Sequence, residues 1–148
     1  AVCQGATMVR PMPGAMALVQ VLSGSERFHP SVVTGNFELS ANIKLEAAGI
    51  LSYLQRGAYA SDSQRRADLP YIAKTRWEER SGRKLSPEQC VVIGDTPKDL
   101  EAARQNQMKC ILVGTGRYPI EELRYAQPDE CLADLLDTES ILDLLTRI

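Results

Sequence analysis

The run Val91-Val92-Ile93-Gly94-Asp95-Thr96-Pro97-Lys98-Asp99 constrains this chain more than any other segment. An apolar strand breaks at a glycine and delivers two carboxylates, four residues apart, to its carboxyl end, where a helix starting Leu100-Glu101-Ala102-Ala103-Arg104 takes over. Open α/β sheets bind their ligands at the carboxyl ends of strands. A helix cap accounts for one Asp in such a position. It does not account for a pair, so the segment reads as a site rather than as a core feature, and hard carboxylate oxygens there suit Mg²⁺ and a phosphate bound to it.

The rest of the chain repeats the strand-to-helix alternation. Pro11–Gly14 reads as a turn opening a helix over Ala15–Ser23, with Met16, Leu18, Val19 and Leu22 on one face. Ser31–Asn36 is a β-branched run closed by Gly-Asn, and Leu39–Gly49 reads as a helix with Ile43, Leu45, Ala47 and Ala48 turned inward. Gly57–Ser61 is a weaker strand, Asp62–Asp68 a polar loop, and Pro70–Ser81 a helix with Ile72, Ala73 and Trp77 on its apolar face, stopped by Gly82. After the central strand come a helix over Lys98–Gln105, a strand Cys110–Val113, a turn Gly114-Thr115-Gly116, a helix Ile120–Ala126, a short strand near Glu130–Ala133 and a helix Thr138–Thr146. Strands alternating with short helices predict right-handed βαβ units: an α/β fold with a parallel sheet covered by helices on both faces. Residues 1–10 read either as a strand or as a loose end, and residues 11–148 as one core domain.

Bulk properties exclude several function classes. With 148 residues, 44% hydrophobic and 24% charged, the chain has the makings of one domain with a full core. A net charge of −2 without a basic block argues against nucleic acid as a partner. No apolar run approaches the roughly 20 residues needed to cross a bilayer, and the amino end has no signal-peptide pattern. The expectation is therefore a cytoplasmic protein without membrane contact. Cys3, Cys90, Cys110 and Cys131 have no C-x-x-C spacing and read as reduced, packed thiols.

Three strand tips carry polar groups: Thr34-Gly35-Asn36, Ser61-Asp62, and Gly94-Asp95-Thr96 with Asp99. In a parallel sheet they share one edge. A hydroxyl with a following backbone N–H can hold phosphate oxygens, while carboxylates hold a metal that neutralises charge on a phosphoryl group. Two cations are candidates for the same site, Lys44 on the helix after Thr34 and Arg66 in the polar loop after the Gly57–Ser61 strand. The single His29 precedes a proline and reads as a surface residue. No Ser-His-Asp arrangement, G-x-S-x-G elbow or P-loop is present.

Val-Val-Thr-Gly-Asn, Lys-Leu-Glu-Ala-Ala-Gly-Ile, Ser-Asp-Ser-x-x-Arg, Val-Ile-Gly-Asp-Thr-Pro-Lys-Asp-Leu-Glu-Ala-Ala and Gly-Thr-Gly-Arg-Tyr, in this order, resemble the haloacid dehalogenase (HAD) superfamily, and within it the phosphoglycolate-phosphatase-like hydrolases. The likeness spans about Pro13 to Leu145. It implies a three-layer Rossmann-like sheet and a Mg²⁺-dependent phosphatase of small phosphomonoesters working through an aspartyl phosphate. On that likeness Thr34 hydrogen-bonds the phosphoryl group with Gly35 and Asn36 beside it, Lys44 or Arg66 supplies the cation, and Asp95 with Asp99 holds or orients Mg²⁺. A Lys-Pro segment ahead of the metal carboxylates is usual in the family and is not found here.

The resemblance stops short at one end. Family members begin with an apolar strand ending in Asp-x-Asp-Gly-Thr, which supplies the nucleophile and the general acid/base; the first Asp of this chain is Asp62 and no Asp-x-Asp occurs in it. The likeness thus implies a core without its attacking group or cap, inactive alone, with a small phosphorylated metabolite as its ligand. The alternative is a non-catalytic binding or regulatory module that keeps the fold. It also implies a sheet incomplete at its centre, between the strand ending at Thr34 and the strand ending at Asp95. Ala1–Val9, a neighbouring chain in an oligomer, a missing amino-terminal segment, or closure of the two flanking strands on each other would fill that gap.

Overall fold

The computed structural model describes residues 12–148, so the expectations for Cys3 and for residues 1–10 as strand or loose end lie outside the described residues. Six helices, α1 (Ala15–Ser23), α2 (Glu38–Ala47), α3 (Leu69–Ser81), α4 (Pro97–Gln105), α5 (Ile120–Tyr125) and α6 (Thr138–Arg147), alternate with five strands. The strands are β1 (Ser31–Val33), β2 (Gln55–Ala58), β3 (Val91–Gly94), β4 (Lys109–Val113) and β5 (Glu130–Leu132). Every pairing is parallel. The predicted α/β class with helices on both faces is what the chain adopts.

The expected single sheet is instead two among the described residues, β1–β2 and β3–β4–β5. β1 and β3 do not pair, so the two flanking strands have not closed on each other. In the larger sheet Val91 pairs with Lys109 and Ile111 with Glu130, and the side chains of β4 alternate between two apolar clusters. Cys110 and Leu112 meet Leu100, Ala103 and Leu123 of α4 and α5, while Ile111 and Val113 meet Leu144 of α6. Every β4 residue from Cys110 to Val113 is buried, as a strand covered on both faces requires. β3 differs. Val91 and Val92 are half-buried and Ile93 is 36% exposed, because no described strand lies along its other edge.

The smaller sheet rests on α3, through Ala58, Leu69 and Ala73, with Val33 and Ile72 packed around them. Helices and polar contacts join the halves. α1 packs Leu18 and Leu22 on Ile141 of α6 and sends Gln20 Nε2 to the Tyr53 hydroxyl, 3.2 Å away. On the other face Asn106 Nδ2, just past α4, donates to the Ala67 carbonyl at 2.6 Å.

Several sequence expectations shift. Ile43 and Ala47 do not turn inward: both are exposed, since α2 meets little besides the 3-10 turn Leu51–Tyr53 and buries only Ala41 fully. β1 ends at Val33 and β2 begins at Gln55, so the strand read at Gly57–Ser61 starts earlier than expected. The segment Pro87–Gln89 forms a further 3-10 turn, which Ser86 and Gln89 close as a capping box. Cys110 is buried, Cys90 and Cys131 are half-buried, and all three are free thiols. Burial pushes the Cys110 thiol up to about 12, so it stays protonated and inert. No helix among the described residues is long and apolar enough to cross a membrane.

Candidate active site

The β3 tip is organised by Asp99. Its Oδ2 accepts from the Asp95 and Thr96 backbone N–H groups at 3.1 and 3.0 Å and from the Thr96 hydroxyl at 3.0 Å. Thr96 answers by capping the Asp99 N–H, a reciprocal box at the start of α4 whose Pro97 is pre-set for a first helical turn. Asp99 Oδ1 takes a fourth donor, Arg66 Nη2, at 2.7 Å. The carboxylate is therefore both cap and ion-pair partner, and its side chain is 12% exposed.

Asp95 is left open. Among the described residues no donor is assigned to its carboxylate, which is half-buried beside the loop after β4. Two glycines shape this pair: a Cβ at Gly94 would overlap the Asp99 carboxylate, and a Cβ at Gly116 would overlap Asp95 Oδ2. Gly116 lies in the Gly114-Thr115-Gly116 turn that follows β4. Its placement on the same sheet edge as Asp95 was the usable signal.

At the β1 tip, Thr34 N–H closes onto the Ala58 carbonyl at 3.1 Å, and the Thr34 hydroxyl oxygen accepts the Asn36 N–H at 3.1 Å. That bond fixes the oxygen and leaves the hydroxyl proton free to donate. The Asn36 carbonyl accepts from Ala60 N–H at 2.9 Å, tying this tip to the end of β2. At the β2 tip, Asp62 accepts the Tyr59 N–H at 2.9 Å and a two-pronged Arg76 at 2.6 and 2.7 Å. The Arg76 guanidinium holds the Asp62 carboxyl below its usual range. Arg76 sits in mid-helix among other charged residues, so nothing in the sequence distinguished it from a solvated surface group.

The two candidate cations separate. Arg66, in the 3-10 turn Arg66–Asp68 that leads into α3, reaches Asp99 and lies with Nη1 near Gly35, spanning from one sheet's tip to the other's. Lys44 lies half-buried on α2 and makes no ion pair among the described residues. No cluster of three or more His, Cys, Asp or Glu side chains placed to hold a metal occurs among the described residues. The donors at the β3 tip still fit Mg²⁺. That ion keeps several waters and takes one or two carboxylates together with substrate phosphate, and Asp95 offers an unoccupied hard-oxygen donor.

Parallel pairing, helices on both faces and a Gly-Asp-Thr-Pro-x-Asp tip at the carboxyl edge define a Rossmann-like α/β core with its polar groups gathered at the strand tips. Residues 58–138, more than half of the chain, match the family model described as HAD-hydrolase-like, and the chain belongs to that family. Its fold is similar to that of a haloacid dehalogenase-like family protein from Streptococcus pneumoniae (TM-score 0.75, 21% identity, 90% of this chain and 60% of that one). It is also similar to a hydrolase from Pseudomonas syringae (TM-score 0.72, 26% identity, 91% and 63%). Among curated proteins, a 5'-nucleotidase from Pseudomonas aeruginosa is 41% identical over 59 residues, 40% of this chain and 27% of its own length. A chloroplastic 5-amino-6-(5-phospho-D-ribitylamino)uracil phosphatase from Arabidopsis thaliana is 41% identical over 58 residues, 39% and 14%. The chain thus matches about a quarter or less of these curated relatives and about 60% of the length of the solved structures.

Proposed function

We propose that these residues form the phosphate- and metal-binding core of a Mg²⁺-dependent phosphatase of small phosphomonoesters. The observation that carries this reading is the Arg66–Asp99 contact at 2.7 Å, which brings a cation from the β1–β2 side to the β3 tip, where the Asp95 carboxylate has no partner among the described residues. The names of the two curated relatives, a nucleotidase and a phosphatase of a ribityl phosphate, support the same chemistry.

Each residue then has a task. Asp95 would hold Mg²⁺, which when bound supplies positive charge to a phosphoryl oxygen. Asp99 fixes the tip through its four donors and keeps Arg66 in place, leaving Nη1 and Nε of that guanidinium for an anion. The Thr34 hydroxyl donates to a second phosphoryl oxygen, with Gly35 and Asn36 forming the turn around it. Lys44 is the reserve cation. Because the 148 residues contain no Asp-x-Asp, they carry no carboxylate in the attacking position, and turnover by them alone should stay at background.

Calorimetric titration with inorganic phosphate in the presence of Mg²⁺ tests the reading. Binding should fall about tenfold or more in Asp95→Asn and in Arg66→Met, in keeping with the loss of one charged hydrogen-bonding partner. Equal binding by wild type and both variants would remove the two residues from the site. Mg²⁺-dependent hydrolysis of p-nitrophenyl phosphate by the chain alone, abolished in Asp95→Asn, would show that another residue attacks.

A further inference from the structure

A cavity of about 580 Å³ opens beside the β1 and β2 tips, within the size range of small-molecule sites. Gly35 and Arg66 line it and also belong to the candidate phosphate site, so the two spaces are continuous. Its most conspicuous wall is Phe37, 65% exposed at the start of α2, a large ring that the fold's own core does not use. Leu69, buried, forms part of the floor.

The charges in this cavity are either paired or face the phosphate position. Asp62 and Arg66 are the charged lining residues among those described; Asp62 is bound on both oxygens by Arg76, and Arg66 is held by Asp99. Ser63 donates to Asp68 at 2.8 Å. The side chains of Ser61 and Gln64 have no hydrogen-bond partner among the described residues and can each donate and accept. Beyond the phosphate position, then, the cavity offers an aromatic face and neutral polar edges, and among the described residues no free cation for a second anionic group.

We propose that this cavity receives the organic part of the phosphomonoester, and that the group it selects is an uncharged planar heteroaromatic ring of nucleobase type, stacked on Phe37 with Gln64 and Ser61 at its edge. The proposal rests on the phosphate-site reading above for the other end of the ligand. It makes Phe37 a specificity determinant and disfavours esters whose organic part carries a carboxylate, since such a group meets only neutral or paired side chains.

Binding to the 148-residue chain with Mg²⁺, measured by calorimetry and by saturation-transfer NMR, tests it with adenosine 5′-monophosphate, ribose 5-phosphate, 2-phosphoglycolate and adenosine. Adenosine 5′-monophosphate should bind about tenfold more tightly than ribose 5-phosphate, as expected for one base–aromatic stack. Phosphoglycolate should bind no better than ribose 5-phosphate. Phe37→Ala should erase the advantage of the nucleotide while leaving ribose 5-phosphate unchanged, and Phe37→Tyr should keep it. Equal affinity for the two phosphates in wild type, a preference for phosphoglycolate, or an equal loss for both phosphates in Phe37→Ala would overturn the proposal. If ribose 5-phosphate binds and adenosine shows no Phe37-dependent transfer, the ring cavity fails and the phosphate site stands. If adenosine shows that transfer and no phosphate ester binds, the phosphate site fails and the ring cavity stands. Absence of binding by all four ligands overturns both.

Discussion

The two sheets are built from different physics. β3–β4–β5 is held by burial: β4 is closed on both faces, and Leu112, Leu123 and Ile111 are fully enclosed. β1–β2 has short strands, a register irregularity between Ser31 and Val33, and a small apolar cluster on one helix. Ion pairs and side-chain-to-carbonyl bonds supplement it: Arg56 on Glu38, Arg76 on Asp62 and Gly57, Arg80 on the Arg56 carbonyl. Burial is non-directional and survives small shifts, whereas the polar set depends on geometry and on charge state. The larger sheet should therefore set the stability of the chain, and the smaller one should open first.

The largest effect should come from the buried strand. Leu112→Ala should lower unfolding free energy by about 2–5 kcal/mol in chemical denaturation, as for other enclosed leucines. Val33→Ala, half-buried in β1, should cost about 1 kcal/mol or less. A Val33→Ala loss as large as that of Leu112→Ala would break the contrast between the sheets.

Hydrogen exchange gives a second reading of the same difference. Amides of β1 and β2 should exchange well before those of β4, through local opening that leaves the larger sheet intact. Synchronous exchange of all three strands would mean that the halves unfold as one unit.

Acid should sharpen the comparison. The carboxyls of Asp62, held down chiefly by Arg76, and of Glu78, held at about 2 by the Leu85 N–H and Lys74, both lie lower folded than unfolded. Their stabilisation is thus complete above the unfolded values near 4 and is lost as pH falls through the folded ones. Glu78 braces the end of α3 before the chain crosses to β3, so acidification toward pH 2 should loosen the smaller half first. Asp62→Asn and Glu78→Gln should each flatten stability against pH between about 4.5 and 2. An unchanged slope in both would remove these pairs from the account.

The smallest expected effect lies in the larger half. Gln107 and Gln127 follow α4 and α5 with φ of 59° and 60°, where a side chain is disfavoured. Gln107→Gly should raise stability by about 0.5 kcal/mol, because glycine adopts that conformation without a Cβ penalty but loses more backbone entropy on folding. A loss instead would show that the side chain earns its place by contacts.

Where apolar periodicity met clear punctuation, the sequence was legible. α1 falls on the expected residues, and β3, α4, β4 and α6 fall within a residue or two, since the first four abut Gly, Pro or Asn and α6 starts at the Asp137 cap. α2 was misread on its inner face because its spacing of Ile43 and Ala47 implies a partner that the described fold does not provide. At the β3 tip both carboxylates were visible, but not their inequality: the Thr-Pro-Lys-Asp spacing is itself a capping-box pattern and marks Asp99 as the structural member. Arg66 and Lys44 were indistinguishable because the choice depends on residues 33 positions apart coming together. The same holds for Arg76 and Asp62, whose pairing is a product of packing α3 against β2.

Gly94 and Gly116 have a consequence for how this chain can vary. Each leaves empty the volume that a carboxylate fills, so position 116 is tied to position 95, and position 94 to position 99, without any bond between their side chains. A methyl group at 116 would be harmful while Asp95 keeps its carboxylate and less so once that side chain is shortened to Ala, whose Cβ still lies 2.9 Å from the added carbon; the second change would mask part of the first. Gly116→Ala and Asp95→Ala should then be strongly non-additive in a double-mutant cycle, although one residue of the pair has no side chain to interact with. Substitutions accumulating at these sites are therefore less costly in one order than in the other.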